Sequence, residues 1–186
     1  MQFKEKKKII NTAKSDKQAG LTMIELGAGL VILAIIAAAI APAIYKNMKN
    51  AEGSSAAKQT MTMMSDIHTK IRRPPYTAVT NSWAIAAKIP DANSISGTSI
   101  INYWGSAVTV ASTKLTGGVN NGAVSITNPV PPDSCLTYVN EVAPMVDELV
   151  IGTTTVKTVG GKLNDATAAT ACDVSGATIS VIMKDS

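Results

Sequence analysis

The longest apolar segment of the chain lies near its N-terminus. Residues 26–45, LGAGLVILAIIAAAIAPAIY, are 20 positions without a charged side chain. As a helix they would be about 30 Å long, which matches the hydrocarbon core of a bilayer. The segment therefore predicts a helix that can cross a membrane. Pro42 predicts a bend in that helix, because proline removes a backbone hydrogen-bond donor.

An amphipathic pattern follows over residues 46–73. Its apolar positions recur every three to four residues and its lysines fall largely on other faces. The apolar positions are Ala57, Met61, Met64 and Ile71, with Ile67 beside them, and the lysines are Lys49, Lys58 and Lys70. Pro74 and Pro75 cannot continue a helix, so we expect it to end near Arg73. This helix would continue the apolar segment and lay its stripe on a sheet.

Residues 74–186 contain short β-branched segments separated by glycine, asparagine and proline, which predicts a globular body with several strands. The predicted strands are 100–112, 123–127, 148–158 and 177–184, and the predicted loops are 113–122 and 159–168. A short helix is predicted over 135–148, with Asp133 or Ser134 as its N-cap and Pro144 disturbing it. The predicted fold class is α+β, a long N-terminal helix packed on an antiparallel sheet.

The charge distribution excludes a polybasic nucleic-acid face on this body. The formal net charge is +4. Of the 17 basic and 13 acidic residues, six lysines and two acids lie within residues 1–20, which leaves 11 of each sign in the rest. The whole excess therefore belongs to one N-terminal tail, and nucleic acid is not an expected partner. A basic tail before an apolar segment predicts a cytoplasmic tail and an exported body.

The junction between tail and apolar segment is Gly20-Leu21-Thr22-Met23-Ile24-Glu25. It resembles the class III signal of type IV prepilins. The resemblance implies that a prepilin peptidase cuts between Gly20 and Leu21 on the cytoplasmic side and that Leu21 becomes N-methylated. The apolar segment would then be kept, first as an anchor in the inner membrane and later as the packed core of a filament.

Glu25 is an expensive residue beside an apolar segment, because an unpaired carboxylate near hydrocarbon costs about 2–3 kcal/mol or more. The resemblance makes it the fifth residue of the mature chain. The amine created at Leu21 of a neighbouring subunit can pair with it, which offsets part of both desolvation costs and sets the axial register. Pro42 matches the family's proline, at which the helix can bend or lose helical structure in the filament.

Two other interpretations of the N-terminus stay open. An ordinary secretory signal would be cleaved near Ala39, Ala41 or Ala43, although the apolar segment is longer than the usual 7–15 residues. A plain membrane anchor explains the length and the charge but leaves Glu25 without a role. In either case the body would be an anchored or periplasmic binding or adhesive module.

The two cysteines, Cys135 and Cys172, both lie in the exported part, where two cysteines predict one disulfide. The resemblance to prepilins implies that this pair encloses a variable surface region, residues 135–172. Cys135, Cys172 and the lone His68 offer too few ligands for a metal site. We expect His68 to be partly buried and hydrogen-bonded.

Catalytic motifs are absent from the sequence: it has no phosphate loop, no G-x-S-x-G and no Cys/His pattern. Asp147 and Glu148 are adjacent and do not converge on one helix face. We therefore expect no enzymatic activity and no cofactor.

The resemblance implies a structural function. The leader of 20 residues, and leucine at position 21 where many relatives have phenylalanine, favour the type IVb subclass, which includes adhesive enterobacterial pilins and conjugative thin pili. The implied organisation is a leader 1–20, a membrane and filament-core helix 21–45, its amphipathic continuation 46–73 and a body 74–186. A minor pilin or a type II secretion pseudopilin shares the same junction and remains an alternative.

The implied partners are the prepilin peptidase and methyltransferase, other pilin subunits, the inner membrane, the assembly machinery, and a host or recipient-cell surface. The implied location is the inner membrane before assembly and an extracellular pilus afterwards. Adhesion, cell–cell contact and conjugation all remain open as roles of such a filament.

Overall fold

The computed structural model describes residues 23–174 and 178–186. The chain divides into two units, Met1–Pro42 and Ala43–Ser186. The first helix, α1, covers Met23–Lys70 and contains Pro42. Gly20 and Leu21 lie outside the described residues, as does the side chain of Glu25.

The two parts of α1 differ in burial. From Met23 to Met48 every described side chain is exposed. Beyond Lys49 the helix buries one stripe, made of Ala56, Ala57, Thr60, Met63, Met64 and Ile67. The predicted stripe is confirmed at its centre, while Met61 and Ile71 lie at its margin and are only partly buried. The helix ends at Lys70, close to the predicted end before Pro74.

The body contains one seven-stranded sheet in which every pairing is antiparallel. The strands are β1 Ile95–Ser96, β2 Ser99–Ile101, β3 Ala107–Thr113, β4 Ala123–Val130, β5 Glu148–Ile151, β6 Thr154–Lys157 and β7 Ile179–Asp185. Their order is β1-β2-β3-β4-β7-β5-β6, so the C-terminal strand lies between β4 and β5. The α+β prediction, a long helix on an antiparallel sheet, is confirmed.

Two predicted strands prove to be two strands each. The segment 100–112 is divided by a turn at residues 102–106, where Gly105 has a φ of 76°. The segment 148–158 is a hairpin that turns at Gly152, with a φ of 60°. Both glycines adopt the left-handed conformation that other residues avoid, which is why a continuous strand is wrong at these positions.

β4 extends three residues beyond the predicted segment 123–127, through Pro129 to Val130. A proline in a central strand normally removes a ladder hydrogen bond. The pairing of β3 with β4 ends at Thr127, so no partner strand needs the missing donor of Pro129. On that side the carbonyl of Pro129 accepts a hydrogen bond from Asn102 Nδ2 at 2.6 Å. A side chain thus replaces the strand that has ended.

The helices of the body also differ from the prediction. α2 covers Asn81–Ala86, α3 Pro132–Val142 and α4 Asp165–Cys172. The predicted helix 135–148 is therefore wrong at both ends: α3 begins earlier, capped by Pro131 without a side-chain hydrogen bond, and Pro144 lies in a 3-10 turn. The predicted loop 159–168 is wrong from Asp165 onward, because Asn164 caps α4 by accepting from the amide of Thr167.

Candidate assembly interface

The apolar half of α1 is the largest unpaired hydrophobic surface in the described residues. Its large side chains are exposed all around the helix, from Leu26 at 56% through Leu33 at 63% to Met48 at 58%. Monomeric soluble proteins rarely expose a patch of this extent, and such patches mark membrane or protein contacts. Within the described chain, Leu26–Lys70 is the one helix whose length and composition would let it cross a membrane.

The globular half of α1 is held to α3 at close range. Gly53 lies where the two helices cross, and a Cβ on Gly53 would stand 2.8 Å from the carbonyl oxygen of Ser134. Ser134 Oγ donates to the carbonyl of Lys49 at 3.0 Å, and Thr137 Oγ1 donates to Asn50 Oδ1 at 3.0 Å. Only glycine allows so short an approach, so Gly53 determines how closely these helices pack.

A second set of polar contacts lies on the turn of α1 before this crossing. Tyr45 donates its hydroxyl to Asp133 Oδ2 at 2.8 Å, and Lys49 pairs with Glu52 Oε2 at 2.9 Å. Trp104 Nε1 also donates to Glu52, at 3.3 Å. The hydrogen bond from Lys49 lowers the pKa of Glu52. The carboxylate therefore stays ionised and joins helix and body at neutral pH.

A buried polar network lies beneath α1. Tyr138 Oη donates to Thr60 Oγ1 at 3.0 Å, and Asn128 Nδ2 donates to the hydroxyl of Tyr138 at 3.1 Å. Asn102 Nδ2 in turn donates to Asn128 Oδ1 at 2.7 Å. Burial raises the pKa of Tyr138 to about 12, so the phenol stays neutral. Because unpaired buried polar groups are costly, this network favours one register of α1 on α3 and β4.

Cys135 and Cys172 form the predicted disulfide, which links α3 to the end of α4 with a Cα–Cα distance of 5.7 Å. Both residues are buried, and there are no free cysteines. The bridge closes a segment that contains most of α3, the β5–β6 hairpin and α4. The boundaries 135–172 therefore enclose most of α3, one β-hairpin and the whole of α4.

Glu148 is almost fully buried, at 2% exposure, yet it is an ionisable residue in the sheet. Burial raises its pKa, but the amide and hydroxyl of Thr116 and the Lys184 ammonium together outweigh burial and lower it. The Thr116 amide donates at 2.8 Å and Lys184 Nζ at 2.9 Å. Glu148 therefore attaches the β3–β4 loop to strands β5 and β7.

His68 is partly buried, as predicted. Its Nδ1 lies 3.3 Å from the hydroxyl of Tyr76, and its Nε2 lies 3.2 Å from Asp185 Oδ2 without hydrogen-bond geometry. Across residues 23–174 and 178–186, no group of three or more His, Cys, Asp or Glu side chains could hold a metal ion.

The comparisons with known proteins agree with this arrangement. Residues 49–184 match the family model described as PilS N terminal. The chain belongs to the PilS N-terminal family. No curated protein matches the chain.

Two solved structures share the fold of this PilS-family chain. One is a type IV b pilin from Salmonella typhi, with a TM-score of 0.56 and 15% identity over 69% of this chain and 96% of that one. The other is TcpA, a type IV pilin from Vibrio cholerae El Tor biotype, with a TM-score of 0.50 and 17% identity over 75% of this chain and 99% of that one. The PilS-family chain therefore has the type IV pilin fold.

The structure brings together some of the predicted site residues and not others. Cys135 and Cys172 are joined, and Pro42 lies within α1. The roles of Gly20, Leu21 and Glu25 remain predictions. The sequence pattern did not predict the contact that Gly53 makes with α3. The chain itself gave one signal: a Gly-Ser-Ser step interrupts an otherwise regular amphipathic pattern.

Proposed function

We propose that this PilS-family chain is the structural subunit of a type IVb pilus. The observation that carries the proposal is an apolar helix, exposed on all sides from Met23 to Met48, on a chain with the type IV pilin fold. A surface of that kind must be covered by lipid, by other subunits, or by each in turn.

The proposed life cycle begins with a precursor whose leader, residues 1–20, stays in the cytoplasm. A prepilin peptidase cuts between Gly20 and Leu21, and Leu21 is then N-methylated. Residues 21–45 hold the mature subunit in the inner membrane, while residues 46–73 and the body 74–186 lie in the periplasm. Because the excess positive charge belongs to the leader, the mature chain has no net side-chain charge.

Polymerisation then transfers the apolar helix from lipid to a core of neighbouring helices. The exchange costs little hydrophobic energy, since both environments are apolar, so packing and polar pairs must select the register. The new amine of Leu21 and the Glu25 carboxylate of a neighbouring subunit supply such a pair. A Cβ at Gly27 or Gly29 would meet no atom within 4 Å, and this open space allows the close approach of a second helix.

The first test is the mass of the mature N-terminus. Mature protein from the native membrane should begin with N-methyl-leucine at position 21. A mature chain that begins near Pro42 would instead support an ordinary signal peptide and contradict the proposal. The abundance of the chain in sheared filaments tests whether it is the major subunit, because a minor pilin or a pseudopilin would be only a trace component there.

The second test is Glu25→Val, compared with Glu52→Gln as a matched loss of one helix carboxylate. We expect Glu25→Val to be cleaved normally and to form few or no filaments, because the amine of Leu21 then enters the core unpaired. Glu52→Gln should assemble. Electron microscopy and a shearing assay measure both. Normal piliation in Glu25→Val would remove the pairing role while leaving the processing step intact.

A further inference from the structure

A polar cleft lies on the body at the side of α1. It is bounded by Ser55 and Gln59 of α1, by Asp91 and Asn93 at the 3-10 turn that precedes β1, and by Tyr103 of the turn between β2 and β3. Its volume is about 420 Å³, which lies within the range of about 300–1,000 Å³ typical of small-molecule sites. Among the residues that line it, Asp91, Asn93 and Tyr103 have no part in the assembly proposed above.

One wall presents an aromatic ring that the fold holds in place. Tyr103 is 57% exposed, so more than half of this side chain faces solvent. The preceding Asn102 is buried and uses its side-chain oxygen to accept from the amides of Trp104, at 3.0 Å, and Ser106, at 2.8 Å. Tyr103 also packs edge-on against Trp104, with ring centroids 6.0 Å apart. The ring is therefore presented to solvent on a rigid turn.

A second part of the lining, at the 3-10 turn before β1, is also held in place by a hydrogen bond. Gln59 Nε2 donates to Ser94 Oγ at 2.5 Å, which ties the 3-10 turn to α1. Asp91 precedes that turn but makes no side-chain capping bond. Among the described residues, neither the Asp91 carboxylate nor the Asn93 amide has a side-chain hydrogen-bond partner. The lining therefore combines an ordered, exposed ring with two side chains that can accept or donate hydrogen bonds.

The chemistry of this lining selects a class of ligand. A ring face binds the apolar C–H face of a flat, partly apolar molecule, and a carboxylate with nearby amides binds hydroxyl groups. None of the described residues that line the cleft is lysine, arginine or histidine. Asp91 would repel a phosphate or a carboxylate, so the fitting ligand is uncharged and rich in hydroxyls.

We propose that this cleft binds a neutral hexose unit of a surface glycan, with the sugar ring stacked on Tyr103 and its hydroxyls bonded to Asp91 and Asn93. This proposal adds a class of ligand to the proposed pilus function, and its biological role rests on that function. Binding itself needs one folded subunit and no filament. A failed binding test would therefore leave the processing and assembly tests unaffected.

The experiment uses the full chain in lipid nanodiscs on an array of neutral oligosaccharides that end in glucose, galactose, mannose or N-acetylglucosamine. We expect at least one glycan to be retained. Tyr103→Ala and Asp91→Ala should each weaken that binding by about tenfold, since each removes one main contact. Tyr103→Phe keeps the ring and Asp173→Ala removes an exposed acid elsewhere, so both should bind within about twofold of the parent.

Tyr103 and Asp91 are both exposed, so their variants should unfold at the temperature of the parent, and a thermal melt verifies this. If Tyr103→Ala unfolds early, Asp91→Ala decides the question with Asp173→Ala as its control. Retention of no neutral glycan would overturn the proposal. Equal binding by Asp91→Ala and the parent would also overturn it, as would stronger retention of acidic glycans than of neutral ones.

Discussion

The two halves of α1 are stabilised in two different ways. From Met23 to Met48 the described side chains are exposed, and the backbone hydrogen bonds of the helix are satisfied locally. From Lys49 to Lys70 one stripe is buried against α3 and the sheet, through contacts with residues far along the chain. The first half can therefore change its surroundings without unfolding, whereas the second half cannot leave the body without breaking its core.

This difference suits the proposed transfer of the subunit from a membrane to a filament. An apolar helix gains little by exchanging lipid for other apolar helices, so it can move between them. The body must keep its shape throughout, and it does so with a disulfide, a buried polar network and a close helix crossing. Variants that alter only the apolar half of α1, or only the body, test whether the two are stabilised independently.

The largest effect is expected from removal of the disulfide in Cys135→Ser/Cys172→Ser. The two cysteines are 37 positions apart, and closing a segment of that length stabilises the folded state by about 4 kcal/mol in the chain-entropy model. Denaturant unfolding of the body, followed by tryptophan fluorescence, should show that loss. Membrane retention of the subunit should not change. A matching fall in membrane retention would contradict the claim that the apolar half of α1 acts independently of the stability of the body.

The intact disulfide can also be verified by mass. The parent protein should gain two hydrogens on reduction, and the double variant should gain none. An unchanged mass of the parent would show that the bridge does not form in the native protein.

A smaller effect is expected from Gly53→Ala, with Gly27→Ala as its matched control. A Cβ at Gly53 would stand 2.8 Å from the Ser134 carbonyl, whereas one at Gly27 meets nothing within 4 Å. Overpacking of this kind costs about 1–3 kcal/mol, so Gly53→Ala should lower the unfolding free energy of the body. Gly27→Ala should leave the body unchanged, and any defect it has should appear in filament yield.

Equal destabilisation of the body by Gly53→Ala and Gly27→Ala would contradict the claim that the two halves of α1 are stabilised in different ways. A normal body in Gly53→Ala would show that α1 and α3 can separate without cost. The same fluorescence assay measures both variants, since neither substitution alters Trp83 or Trp104.

The smallest effect is expected from Glu148→Gln, and it depends on pH. The folded pKa of Glu148 lies below its ordinary value of 4.5, so its ionised form stabilises the body above that value, and the stabilisation is lost as pH falls through the folded pKa. Glu148→Gln should lower stability at neutral pH and make it less sensitive to acid. Thermal melts between pH 7 and pH 3 measure the slope, and an unchanged slope would contradict this role for Glu148.

Much of the fold could be predicted because its signals are local. The amphipathic period locates the buried stripe at Ala57, Met64 and Ile67, and the proline pair locates the end of α1 within three residues. The two cysteines predict a bridge because the body is expected to be exported to an oxidising compartment. The strand boundaries were less predictable, since Gly105 and Gly152 divide segments whose β-branched residues continue on both sides.

The candidate sites also differ in whether a local sequence signal predicts them. Gly20, Leu21 and Glu25 stand out in the sequence because the processing signal that they are predicted to form is a linear motif. The Gly53 contact and the cleft beside Tyr103 do not stand out, because each is made by segments that are distant in sequence. Ser134 lies 81 positions from Gly53, and Asn93 reaches the same cleft as Ser55 only after the sheet has formed.

The sequence alone determined that the chain has an all-apolar helix followed by an amphipathic one, that the body is α+β, and that its two cysteines pair. These properties follow from hydrophobic periodicity, backbone chemistry and compartment. The tertiary structure alone decided that β7 lies between β4 and β5, that Gly53 meets α3, and that Tyr138 joins Thr60 and Asn128. Those contacts depend on non-local pairing, in which complementary shape and hydrogen bonding select one partner among many.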